Sequence, residues 1–428
     1  MKHTLEKLKL KGGSRLLIVD VPGSSGFLFD TYVRAGTKYA PKNKYEIAHL
    51  LEHLAFNGTK QLPSKMKFAY EVEKDGAYTN AMTADNTISY VYESAINEYE
   101  RIVDIACGQL SSPIFTQADL DNEKEVITSE LSRKLSNDRS RCEYNGLYLK
   151  VVTHAQTINK RIKSLSNITL QDVVNYHQKY HVLNNFVIVA AGDFSQAKKD
   201  KLIKQLDANL STISCGTETA YKSTFNNKSS QTITVQQPKF KGQACMSFDL
   251  LQPKYDMSLN PALRVLRTMY GVGDFSRLFD KARAAGLSYG VSVGYGIDRD
   301  VSSFGFSDQT EAEKLLPLYE LCLRELKDIL DGNFTKQEFE RAVGFIRGRV
   351  ERNYDRAEDL GYYYENMFLD DDELVSPQEL VEQINHLKPT DITNLNNTFF
   401  KKGSWILSLV GENIDKDAYR QVTAKYFG

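Results

Sequence analysis

Apolar residues recur along this chain with two periods. In Thr87-Ile-Ser-Tyr-Val-Tyr they alternate, as the two faces of a strand require. Phe186-Val-Ile-Val-Ala-Ala-Gly192 and Trp405-Ile-Leu-Ser-Leu-Val-Gly411 are apolar strand patterns, each closed by glycine and an acid. Elsewhere the spacing is helical. Glu311 to Leu330 predicts a long amphipathic helix, and Ile47, Leu50, Leu51, Leu54 and Phe56 supply a buried stripe around a second. A third begins at Thr116, with Leu120, Ile127, Leu131 and Lys134 along one side. Strands and helices are grouped rather than strictly alternating. The expected fold class is therefore α+β, each domain a mainly antiparallel sheet packed with helices.

Three of these landmarks occur twice in one register. The capping signal Thr116-x-x-Asp119 returns as Thr335-x-x-Glu338, and the helix start near Asp172 returns near Asp391. The strand ending at Gly192 returns at Gly411, and each separation is 219 residues (335 against 116, 391 against 172, 411 against 192). Three matches in register argue for an internal duplication. The polar stretch between the copies, rich in Ser, Thr, Asn and Lys, reads as a linker. The expected division is a first domain over 1–210, a linker over 211–231 and a second domain over 232–428.

Composition narrows the function without naming it. At 428 residues, with 41% hydrophobic and 25% charged residues, the chain reads as globular and long enough for two cores. A formal charge of −1 with no basic run speaks against nucleic acid and acidic membrane surfaces as partners. The amino-terminal run interrupts its apolar residues with charges, and no stretch is long and apolar enough to span a bilayer. Five scattered cysteines without a C-x-x-C pair fit a reduced, cytoplasmic protein.

The candidate chemistry lies in His49-Leu50-Leu51-Glu52-His53. On a helix, residues four apart share a face, so His49 and His53 can reach one ion, with Glu52 beside a water on it. Two surface histidines are the plainer alternative. Zinc needs a third protein ligand, and Glu123 and Glu130 lie nearly two whole turns apart on one stripe of the helix after Thr116. Pairing of Glu130 with Lys134 on a solvated face competes with that reading. The repeat favours a ligand, because Ala342 and Arg349 occupy the corresponding positions of the second copy, which also lacks the HLLEH run.

Taken together, HLLEHLAFNGT (49–59), GAYTNAMTADNTISY (76–90), NEKEVITSEL (122–131), NNFVIVAAGDF (184–194) and SRLFDKARAAGLSYGVSV (276–293) resemble the inverted zinc-motif peptidases of the pitrilysin/insulinase family (M16). The size resembles the shorter branch that includes the processing peptidases, whose domains are LuxS/MPP-like. The resemblance implies one zinc per chain, held by His49, His53 and Glu130, with Glu123 supporting the ligands and Glu52 as general base. It also implies that Asn80, Ala81 and Thr83 form an edge strand to which an extended substrate adds. Arg283 and Tyr289 correspond to residues that reach substrate from the second domain, although the spacing between them is one residue short. After Glu130 many relatives carry a Gly/Pro-rich run, where this chain has LKVVTHAQTINKRIKS.

The function so implied is zinc-dependent endopeptidase cleavage of short or unfolded peptides in a closed chamber. Glu52 would deprotonate a zinc-bound water, and Tyr289 with Arg283 would stabilise the oxyanion. A non-catalytic subunit that binds or guides peptides is the alternative. A dimer is expected, of identical chains or with a related M16 partner.

Overall fold

The computed structural model describes residues 2–144, 153–223, 231–252, 256–370, 373–400 and 404–428. The first half supplies strands β1 (Thr4–Lys9), β2 (Arg15–Asp20), β3 (Gly26–Val33), β4 (Tyr78–Thr83), β5 (Ile88–Ala95) and β6 (Phe186–Gly192). Its helices are α1 (Ile47–Leu54), α2 (Lys65–Glu73), α3 (Tyr99–Ser111), α4 (Gln117–Ser136), α5 (Asp138–Arg141), α6 (Ile158–Leu165), α7 (Leu170–Tyr180) and α8 (Gln196–Asn209). The second half supplies β7 (Gln231–Gln236), β8 (Gln243–Gln252), β9 (Ser292–Gly296), β10 (Ser302–Glu311) and β11 (Ser404–Val410). Its helices are α9 (Asn260–Gly271), α10 (Arg277–Ala284), α11 (Leu315–Leu330), α12 (Lys336–Asn353), α13 (Ala357–Leu369), α14 (Pro377–His386), α15 (Pro389–Thr398) and α16 (Lys416–Phe427).

Apart from the outer strand β1 of the first, the two sheets share one topology. The first runs β1-β2-β6-β3-β5-β4 and the second β7-β11-β8-β10-β9. In each, one pair is parallel (β2 with β6, β7 with β11) and the remaining neighbours are antiparallel. Helix starts keep the spacing of the sequence repeat: 117 and 336, 138 and 357, 158 and 377, 170 and 389 each differ by 219. This is an α+β fold of two homologous domains. The central strands β6 and β11 are almost wholly buried, which is why they read as unbroken apolar runs. One expected boundary shifts: Glu311 ends strand β10, and helix α11 begins only at Leu315.

The compact units are not continuous in sequence. One comprises Met1–Glu130, Asn159–Lys222 and Arg352–Val375; the other comprises Leu131–Ile158, Ser223–Glu351 and Ser376–Gly428. Each unit therefore takes one short segment from the opposite half. In the first, α13 lies on β2, β3 and β6; in the second, α5 lies on β8 and β11. The apolar face of α13 explains its placement. Ala357, Leu360, Tyr364 and Phe368 are buried against Leu17, Val19, Leu28, Val187 and Val189, at about 2 kcal/mol for each large side chain. At Gly361 a Cβ would come within 2.3 Å of Leu28, so only glycine permits this approach. Arg15 and Arg34 donate to the Phe368 and Leu369 carbonyls at the helix end, where cations are favoured.

The stretch expected as the polar linker, 211–231, belongs to the first unit as far as Lys222. Leu183 donates to Ser214 O at 3.0 Å, and Thr219 donates to Asn185 Oδ1 at 3.1 Å. Residues 224–230 of that stretch, and 145–152 near the run that departs from the family pattern, lie outside the described residues.

Candidate metal centre

Helix α1 carries the HLLEH run. Ile47, Leu50, Leu51 and Leu54 are buried, which fixes the rotation of the helix and leaves His49, Glu52 and His53 half-buried on the opposite face. Helix α4 crosses nearby with Leu120 and Ile127 in the core, so Glu123 and Glu130, seven residues apart, project together. Asp119 N donates to Thr116 Oγ1 at 3.1 Å, capping α4 where the sequence signal put its start.

The side chains converge. Nε2 of His53 is 3.2 Å from Nε2 of His49, which is 3.5 Å from a Glu130 carboxylate oxygen. One ligand atom from each of His49, His53 and Glu130 falls within 4.8 Å of the others, the only such group of three among the described residues. Two imidazole nitrogens and a carboxylate oxygen form a set that zinc takes with a fourth position left for water, so these residues fit the implied metal.

Each imidazole is oriented from behind. Nδ1 of His49 is 3.0 Å from Glu46, and Nδ1 of His53 is 2.9 Å from Glu123. An ionised carboxylate only accepts, so both Nδ1 atoms donate and both Nε2 atoms are turned toward Glu130. Glu46 is fully buried and clamped by Arg161, whose second contact is 3.1 Å; Glu123 is also held by Lys65 at 3.2 Å. The hydrogen bond from His53, together with Lys65 and against burial, holds the Glu123 carboxyl down to about 2. Burial opposes the charged form of His49, yet hydrogen bonds to Glu130 and Glu46 outweigh it and raise the imidazole to about 9.

Sequence reasoning missed Glu46 and Arg161. Glu46 lies one turn before His49 and was visible as spacing; Arg161 stands 115 residues from Glu46, and no local signal joins them.

Strand β4 is one of the two edge strands of the first sheet, the other being β1. Its exposure alternates, with Tyr78, Asn80 and Met82 outward and Thr79, Ala81 and Thr83 half-buried. Asn80 Oδ1 accepts from Ala81 N at 2.9 Å. Thr83 differs from the expectation that grouped it with the substrate strand alone: its hydroxyl donates to Glu52 Oε2 at 2.5 Å.

In the second unit, Arg283 and Tyr289 are neighbours. The guanidinium lies 4.9 Å from the Phe279 ring and 4.8 Å from that of Tyr289, a cation–π contact with both rings, and Tyr289 itself is exposed.

Comparison with known proteins agrees with this architecture. Residues 29–149 match the profile of the insulinase family (peptidase family M16), and residues 167–344 match that of the peptidase M16 inactive domain. An uncharacterized zinc protease of Rickettsia felis is 24% identical, over 94% of this chain and 96% of its own length. Zinc protease PqqE of Helicobacter pylori is 22% identical, over 94% of this chain and 90% of its own. In three dimensions a protease from Helicobacter pylori superposes with a TM-score of 0.84 at 18% identity, over 96% of this chain and all of the other. The two profiles cover more than half of the sequence, and the chain belongs to the M16 family of zinc peptidases.

Proposed function

We propose that this chain is a zinc metalloendopeptidase that hydrolyses short or unfolded peptides, with one zinc held by His49, His53 and Glu130. The observation that carries the reading is the convergence of those three donors within 4.8 Å, each imidazole backed by its own carboxylate. Zinc bound there would supply Lewis acidity, lowering the pKa of water toward about 7 and polarising a carbonyl. Glu52 accepts the proton of the attacking water and returns it to the leaving amine. Thr83 holds the Glu52 carboxylate in place, while Glu46 and Glu123 keep both Nε2 atoms forward. Asn80 and Ala81 on the β4 edge receive an extended peptide backbone, and Arg283 and Tyr289 contact the substrate.

The active form in this reading is a dimer, of identical chains or with a related chain. Support comes from the mitochondrial-processing peptidase subunit beta of Saccharomyces cerevisiae, which is 27% identical over 44% of this chain and 41% of its own length.

A second reading, a peptide-binding subunit without activity, draws on the inactive-domain match over 167–344. The donors His49, His53 and Glu130 all lie in the other matched segment, which favours catalysis. Cleavage of a mixed peptide pool by the zinc-loaded protein and by its Glu52→Gln variant decides. Cleavage by the parent, lost in a variant that still binds zinc, is expected. Zinc-loaded parent that cuts nothing would establish the second reading instead.

A further inference from the structure

The duplication places a second, altered version of the metal site in the second unit. The residues 219 positions after His49, His53, Glu123 and Glu130 are Thr268, Val272, Ala342 and Arg349. No donor for a metal survives there. The flanking positions are basic instead: Arg264 and Arg267 lie one turn apart on α9, and Arg341, Phe345 and Arg349 follow one another at four-residue steps along α12.

These two stripes meet. Arg341 Nη2 donates to Thr268 O at 3.2 Å, and a Cβ on Gly273, just past the end of α9, would meet Phe345 at 3.7 Å and Arg341 at 4.0 Å. The Arg349 guanidinium lies 5.5 Å from the Phe345 ring. Arg267 is anchored by Nε, which donates to Val293 O at 2.9 Å, so its two terminal nitrogens remain for another partner. Burial lowers the Arg267 pKa, and Arg264 and Arg349 lower it further, opposed only by the Tyr295 phenol. The acid acting on Arg341 is Glu338, which is bound to Arg277 at 2.6 Å.

The Arg267 and Arg349 guanidiniums repel one another, and a shared anion between them relieves that repulsion. The carbonyls at the end of α9 offset part of that cost, as the Thr268 contact shows. A fixed fork of N–H donors is also the arrangement that matches two oxygens of one anion. We propose that α9 and α12 form a binding site for a small oxyanion, a carboxylate or phosphate group, held by Arg267 and Arg349 with Arg264 and Arg341 beside it. Where the first unit gathers donors for a cation, the second gathers cations for an anion.

Titration calorimetry on the full chain tests this with three probes: inorganic phosphate, N-acetyl-dialanine with a free carboxylate, and its carboxamide. Saturable binding of phosphate, of the free acid or of both is expected, and none for the amide. Phosphate alone would identify a phosphate site, and binding of the free acid a peptide carboxylate site. Loss of one charge-assisted contact in Arg349→Gln should weaken binding about ten-fold or more. Arg349 is exposed, so this variant keeps the fold; Arg267→Gln should weaken binding as well but also removes the Val293 contact. Absence of saturable binding by both anions, equal binding of the amide, or unchanged affinity in Arg349→Gln would overturn the proposal. Arg349→Gln leaves the donors His49, His53 and Glu130 untouched, so anion binding at a zinc ion there would not change in the variant, and this site and the peptidase reading fail independently.

Discussion

Thr83 Oγ1 stands 2.5 Å from Glu52 Oε2, and the hydroxyl is the donor in that contact. It ties the end of an edge strand to the side chain proposed as the base. Losing the donor frees the carboxylate to rotate away from the attacking water. Thr83→Val should therefore lower kcat by about 10- to 100-fold, the range of a hydrogen bond to a charged group. Thr83→Ser should restore most of it. Zinc content should be equal in both, because Thr83 touches no metal donor. A Val variant with unchanged kcat, measured beside zinc by atomic absorption, would remove Thr83 from the mechanism.

The ligand set makes a graded prediction. His49→Ala and Glu130→Gln each delete a donor and should abolish stoichiometric zinc. Glu123→Gln leaves all three donors but loosens His53 and should weaken zinc affinity about 10- to 100-fold. Competition against a chromophoric chelator separates the two classes. Equal affinity for Glu123→Gln and the parent would mean that His53 needs no support from α4.

Much of this centre was legible beforehand because its parts are local. The i,i+4 histidines, the stacked glutamates of α4 and the cap at Thr116 are short-range patterns, and the 219-residue repeat showed which copy had kept them. What escaped were contacts made by folding back over long distances. Arg161 reaches Glu46 from another helix, and Thr83 reaches Glu52 from the end of β4, with helix α2 lying between them in the chain. The exchange of α5 and α13 escaped for a different reason. An amphipathic helix announces that it has an apolar face, but not which sheet will cover it.

Glu46 and Arg161 form the most deeply buried ion pair near the site. Glu46 is fully buried and Arg161 nearly so, and burial of the Glu46 carboxyl is outweighed by His49 and Arg161, which keep its pKa below the usual value. Glu46→Ala removes the carboxylate from beside a buried guanidinium and should cost about 3–5 kcal/mol of stability. It also frees the His49 ring, so zinc affinity should fall with it. The double variant Glu46→Ala/Arg161→Met removes that buried charge as well and should recover stability but not affinity. Denaturant unfolding and zinc competition, run on both variants, separate these effects. Recovery of both together would mean that Glu46 has no role in orienting His49.

The contact between α13 and the first sheet carries a pH dependence. Asp30 on β3 is buried and Glu365 on α13 is half-buried, and the two carboxyls lie close enough to influence one another. Burial pushes both carboxyls up, Glu365 to about 7, and the Glu365 charge adds to the rise at Asp30. In the unfolded chain a glutamate ionises near its ordinary value of about 4.5. Between that pH and about 7 the folded chain thus holds more protons than the unfolded one. The stabilisation is fully present below the unfolded value and is lost as pH rises through the folded one. The loss across this window should be on the order of 2–3 kcal/mol. Glu365→Gln keeps an uncharged partner for Asp30 at every pH and should flatten the decline. Thermal unfolding midpoints of parent and variant from pH 4.5 to 7.5, at fixed metal content, measure it. Parallel slopes would show that ionisation of Glu365 does not weaken the contact of α13 with the sheet.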